Sequence, residues 1–281
     1  MFKLYDNGYS KLITEKKGVV NGNLKLVFMK STFNPVVPNL TTATMNANRA
    51  SPTNFNINGL GGSPTASPSL TSTGVEVINN DFTFPVRNIA VVVDSSDGEP
   101  YGYLNVQALT QSEANTGFVL EWVNDIIGTL MFNSKYKALR SGYLNFYSSN
   151  VNDLDIIDRG RVALVSYTGQ HNQQTVYNIV KDLDTMQDIY NLPAFTKVTS
   201  NHTLTNLSTS GKQLIASRTI IDTGTEDTYN GCYIIFYVQK PGTTADTDAI
   251  PFVIFTGDDE YIESFTSKII INASNGIIDL Q

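Results

Sequence analysis

The side chains that could do chemistry are few and scattered. There are two histidines, His171 and His202, and both sit in polar, loop-like sequence. A Ser-His-Asp or Cys-His arrangement needs a base held in place by packing, and neither histidine has an apolar frame around it. No Gly-x-Ser-x-Gly, phosphate-binding loop, dinucleotide fingerprint or Cys/His metal spacing occurs. The single cysteine, Cys232, opens the apolar run Tyr233-Ile234-Ile235-Phe236-Tyr237-Val238, so it reads as a small buried hydrophobe and excludes an intrachain disulfide. Asp94, Asp97 and Glu99 form one acidic cluster, and Asp258, Asp259, Glu260 and Glu263 another. Each could supply oxygens to calcium, but neither has the EF-hand pattern, and polar turns account for both more simply. A glycosidase would need two carboxylates about 5 to 10 Å apart across a cleft, a spacing that sequence does not encode. The expectation is a non-enzymatic chain with no catalytic, cofactor or metal site.

Bulk composition points the same way. Charged residues are 16% of the 281, and Asn, Thr, Ser and Gln must supply the polar surface. A net charge of -7 argues against a broad phosphate-binding face, so no direct nucleic-acid partner is expected. Lys3, Lys11, Lys16, Lys17, Lys25 and Lys30 crowd the N-terminal segment, as a solvated face or a small basic patch. Residues 2 to 17 carry charges throughout and show no signal-peptide pattern, and no apolar run approaches the roughly 20 residues of a membrane span. A soluble protein made in a cytoplasm, without a membrane partner, is therefore expected. The sequons at Asn39, Asn201 and Asn206 are what chance gives in so Asn/Thr-rich a chain.

The elements that would position these groups are mostly strands. Phe2, Tyr5, Tyr9, Leu12 and Ile13 follow helical spacing, weakened by Asn7-Gly8. Leu24 to Met29 reads as a strand, and residues 36–80 as an Asn/Thr/Ser/Pro/Gly-rich stretch. So long a structureless loop is uncommon, which favours an extended arm ordered by contact, with Phe55, Ile57 and Leu60 as interaction anchors. Ile89 to Val93, the Asp97-Gly98 turn and Tyr101 to Val106 form a hairpin. Phe118 to Leu130 fits a helix almost as well as a strand. Val176, Ile179, Leu183, Met186 and Ile189 share one face of a helix ended by Asn191-Leu192-Pro193.

The second half repeats the order of the first. Tyr143, Phe146, Tyr147 and Val151 resemble the opening segment. Val162, Leu164 and Val165 resemble Leu24 to Met29, and Cys232 to Val238 corresponds to Ile89 to Val93. Asp125 to Leu130 matches Ser274 to Ile278 at the close of each half. The reading is a mainly β chain with a few short helices and two β-sandwich-like domains, a diverged tandem duplication, with one large sandwich as the alternative. The first domain spans 1–135 with its arm at 36–80, and the second 136–281 with a helix inserted near 175–190.

One family shares this order of elements. Its members open with a short helix carrying a Leu-Tyr pair, here Leu4-Tyr5, and run a strand into an aliphatic-Met-Ser-aromatic-Pro turn, here Leu26 to Pro35. An Arg-aliphatic-Asp hairpin follows as Arg87 to Asp94, then Gly102-Tyr103-Leu104, then Trp122 with Gly128-Thr129-Leu130. Over about residues 1–132 the chain resembles small virion structural proteins of tailed bacteriophages. The resemblance implies a strand at Phe118 to Leu130. It also implies a capsid-decoration, neck or tail component, located in the virion, whose partners are its own copies as a homo-oligomer and other virion proteins. The alternative is a carbohydrate- or receptor-binding tail module, for which 14 Tyr and 14 Phe would permit aromatic platforms.

Overall fold

A computed structural model describes residues 2–14, 24–63, 69–78, 81–95, 97–123, 126–129, 136–142, 155–169, 173–210, 213–217, 219–222, 229–255, 262–265, 268–271 and 278–279. The chain is mainly β, with short helices between antiparallel sheets. The first sheet has the order Lys3–Leu4, Pro100–Asn105, Val86–Asp94, Leu24–Lys30, Phe55–Asn56. The second has the order Tyr136–Ala138, Ala249–Phe255, Tyr229–Gln239, Gly160–Tyr167, Phe195–Thr203, with Ile262–Phe265 as an added strand on Tyr229–Gln239. Both centres are runs of Val, Ile, Phe and Tyr buried on both faces, which is why they read as continuous apolar segments.

Apart from the added strand Ile262–Phe265, the two halves share one topology. A three-stranded sheet, Ile126–Thr129, Ser69–Thr71, Gly61–Ser63, is matched by Ile278–Asp279, Gln213–Ile215, Ser208–Ser210. A two-stranded ribbon, Val75–Val77 with Phe118–Leu120, is matched by Thr219–Asp222 with Lys268–Ile271. The match extends to register. Leu26 faces Val92 as Val162 faces Phe236, and Lys3 faces Tyr103 as Lys137 faces Ile254. Both hairpins slip register at the same place, beside Pro100 in one half and Pro251 in the other. Ile126–Thr129 and Ile278–Asp279 flank equivalent strands, while Asp125, Leu130 and Ser274 to Ile277 of the expected correspondence lie outside the described residues. Residues 143–151, expected to mirror the opening segment, lie outside the described residues.

Among the described residues every strand pairs within its own half, yet one apolar cluster takes in both. Leu26, Phe28, Ala90, Val92 and Leu104 of the first sheet belong to it with Val162, Leu164, Ile234, Phe236 and Phe252 of the second. The opposite face of the first sheet, with Val27, Met29, Val91 and Val93, is covered by Tyr5, Leu40 and Met45. The opposite face of the second, with Ala163, Val165, Tyr233 and Ile235, is covered by Val176, Val180, Met186 and Ile189.

Three expectations change. The opening segment is an edge strand followed by a helix starting at Asp6, because Lys3–Leu4 find a free strand edge at Gly102 and Tyr103. Residues 36–80 are not an extended arm: where described, they fold back on their own half. Leu40 and Met45 are buried, Ala50 N–H donates to Phe28 O at 2.8 Å, and Phe55–Asn56 pairs with Leu26 and Lys25. Ser51 Oγ donates to Asp81 Oδ1 at 2.6 Å and Thr53 Oγ1 to Asp81 Oδ2, which pins the segment at its centre. The inserted helix is two, Gln173–Val180 and Met186–Tyr190, because Thr185 starts a new helix with a capping box to Asp188. At Phe118 to Leu130 the strand reading holds, as Phe118–Leu120 and Ile126–Thr129.

Candidate functional site

The three expected anchors sit inside the fold. Phe55 (5% exposed) lies 5.9 Å from Phe82 in a stacked pair and 5.2 Å edge-on from Phe28, and Phe118 closes the cluster 5.5 Å from Phe28. Ile57 is buried with them, and Leu60 packs partly against the same core. Phe55 and Ile57 are therefore core residues of the first half rather than exposed anchors.

The groups that could do chemistry are likewise occupied. Cys232 is fully buried in its strand, and burial pushes its thiol up to about 11. His202 lies on the edge strand Phe195–Thr203, opposite Val162, where its Nε2 meets Thr199 Oγ1; burial holds its pKa below the usual value. His171 lies outside the described residues. In the first acidic cluster Lys11 Nζ lies 2.8 Å from Asp97 Oδ2 and also reaches Glu99 Oε2, so an ammonium stands where a cation was considered. Of the second cluster, Asp258, Asp259 and Glu260 lie outside the described residues, which as a whole bring together no group of three or more His, Cys, Asp and Glu that could hold a metal. Of the six N-terminal lysines, Lys16 and Lys17 lie outside the described residues. Lys11 turns inward, while Lys30 Nζ donates to Ala47 O at 2.9 Å and sits 4.2 Å from the Phe84 ring centroid. No described helix is long and apolar enough to cross a membrane.

Exposed aliphatic side chains lie on the corresponding two-stranded ribbon of each half, at different positions. In the ribbon Val75–Val77/Phe118–Leu120, Val75, Val77 and Leu120 point into the core. The alternation then turns Glu76 and Val119 outward as a cross-strand pair, with Val119 60% exposed and the neighbouring Ile78 80% exposed. Val123, just past the ribbon, is also exposed. Gly74 makes the ribbon's approach possible: it holds φ 120, and a Cβ there would lie 2.6 Å from Leu120 O. In the equivalent ribbon, Thr219 and Ile221 are buried and Ile220, at the position of Glu76, is 58% exposed.

The signal was present in the sequence. A strand covered on one face alternates, so adjacent apolar residues such as Val77-Ile78, Val119-Leu120 and Ile220-Ile221 force one of each pair outward. Comparisons with protein-family models, curated proteins and solved structures found no match.

Proposed function

We propose that this chain is a non-enzymatic structural component of a tailed-phage particle, a capsid-decoration, neck or tail protein, acting through contacts with its own copies and with other virion proteins. One observation carries the reading: two halves of one topology each expose an aliphatic side chain on the corresponding two-stranded ribbon, Val119 beside Glu76 in the first and Ile220 in the second. A subunit with two like surfaces is bivalent, and bivalency lets weak contacts multiply into rings or arrays. The order of elements over residues 1–132 supports the phage assignment. A sugar-binding module finds less support, because Tyr5, Tyr9, Tyr101, Tyr233 and Tyr237 and five phenylalanines are fully buried instead of forming a platform.

Light scattering over a concentration series tests the assembly. The wild type should reach a defined oligomer, and the double variant Val119→Asp/Ile220→Asp should remain monomeric with unchanged circular dichroism. A wild type that stays monomeric throughout, or a double variant that assembles normally, would overturn the ribbon contact.

A further inference from the structure

Each half begins with the same strap across its hairpin. In the first, Lys3–Leu4 pairs with the return strand, Tyr5 N–H donates to Tyr101 O at 3.1 Å, and Gly8 presses on that carbonyl. In the second, Tyr136–Ala138 pairs with the return strand, Leu139 N–H donates to Phe252 O at 2.8 Å, and Gly142 presses on Phe252. The sequences, Lys3-Leu-Tyr-Asp-Asn-Gly-Tyr9 and Lys137-Ala-Leu-Arg-Ser-Gly-Tyr143, keep Lys, Gly and Tyr at the same spacing.

The straps differ in how polar groups secure them. Ser141 Oγ donates to Pro251 O at 2.9 Å, whereas Asn7, its counterpart, reaches Pro100 O at 3.4 Å and leaves its buried Oδ1 without a partner. The first strap adds Lys11, whose side chain is 7% exposed and ends on Asp97 and Glu99, which are 33% and 49% exposed. At the same offset the second half has Asn145, and the acids of its longer turn pair elsewhere, Asp246 with Lys197 and Asp248 with Lys240. The strap geometry therefore does not require a buried ammonium. Such a group is costly once its partners are lost, because it is left desolvated and uncompensated.

We propose that Lys11 is a charge-operated latch: neutralising Asp97 and Glu99 releases the strap, residues 2–14, and uncovers the edge of Pro100–Asn105. Among the described residues, the other ionisable groups on the strap are Lys3, Tyr5, Asp6 and Tyr9, with Asp94 in the hairpin, Tyr101 and Tyr103 on the strand beneath, and Asp158 and Arg159 on the helix packed against it. The tyrosines stay neutral in acid, and Asp158 and Arg159 oppose each other in sign. Burial alone would lower the pKa of Lys11, but its hydrogen bonds to Asp97 and Glu99 hold it raised; in acid the ammonium stays charged after they are neutralised because the pH lies far below the ordinary lysine range. The uncovered edge is a template for a strand of a neighbouring copy. That last consequence rests on the assembly reading; the latch itself does not.

Hydrogen exchange on the full chain tests the latch at about pH 7 and about pH 2, well below the ordinary carboxylate range. After correction for the intrinsic pH dependence of exchange, amides of residues 3–9 and 101–104 should exchange about tenfold faster or more in the acid arm, while Gly160–Tyr167 stays protected. Asp97→Asn/Glu99→Gln should show the fast pattern already at neutral pH, and Lys11→Met, which fills the space without charge, should lose the acid response. Equal strap protection at both pH values would overturn the latch. So would strap and second sheet opening together, an unchanged Asn/Gln variant, or an acid response retained in Lys11→Met.

Discussion

Glycines at close approaches decide more here than titratable side chains do. Asn7-Gly8 weakens a helix on propensity, yet Gly8 is where the opening helix touches the sheet: an added Cβ would lie 1.8 Å from Tyr101 O. Gly98 is the contrast, at φ +70 with nothing within 4 Å of its Cβ position. Gly8→Ala is therefore expected to destabilise by about 3 kcal/mol, through overpacking against backbone that cannot move aside. Gly98→Ala should cost about 1 kcal/mol, the left-handed backbone penalty alone. Urea titrations of the two variants beside the wild type decide the order, and equal losses would mean that the helix shifts to relieve the contact. The sequence marks both glycines as turn or breaker residues and does not separate them, because the atoms that crowd Gly8 come from a strand more than 90 positions away.

Elements follow their apolar period well and their boundaries poorly. The inserted helical region was legible from Val176, Met186 and Ile189, all buried against the second sheet. Its phase was not. One continuous helix would carry Ile179 inward, but the chain turns between Val180 and Met186, leaving Ile179 38% exposed and Val180 fully buried. Ile179→Asp is expected to change stability by less than about 0.5 kcal/mol, and Val180→Asp to cost about 3 kcal/mol or more through a carboxylate in the core. Thermal melts of both variants test the assignment, and a larger loss at Ile179 would restore the single-helix reading. Residues 36–80 mislead for a related reason. Their anchors are few and far apart, so local sequence does not reveal that Asp81 and the edge of Leu24–Lys30 hold them in place.

On the scale of the molecule, strand pairing separates the halves while packing joins them. Because one apolar cluster holds both sheets, unfolding should be a single cooperative transition. Residues 1–135 expressed alone should expose part of that cluster, lose stability and bind a hydrophobic dye. Calorimetry on the full chain and dye binding by the half test this together. Two resolved transitions, or a stable half that binds no dye, would show that the halves are independent domains joined only by contact.

The sequence by itself determined the mainly β class, the order of the long strands, the hairpins and the correspondence between halves. These depend on local periodicity, turn residues and apolar runs, which survive divergence that erases identity. Tertiary structure alone decided where the polar segment goes, which apolar residues remain outside, and that Lys11 lies buried between two carboxylates. Those outcomes depend on which distant surface covers each face, and a one-dimensional pattern of apolar and polar residues does not state its own partner.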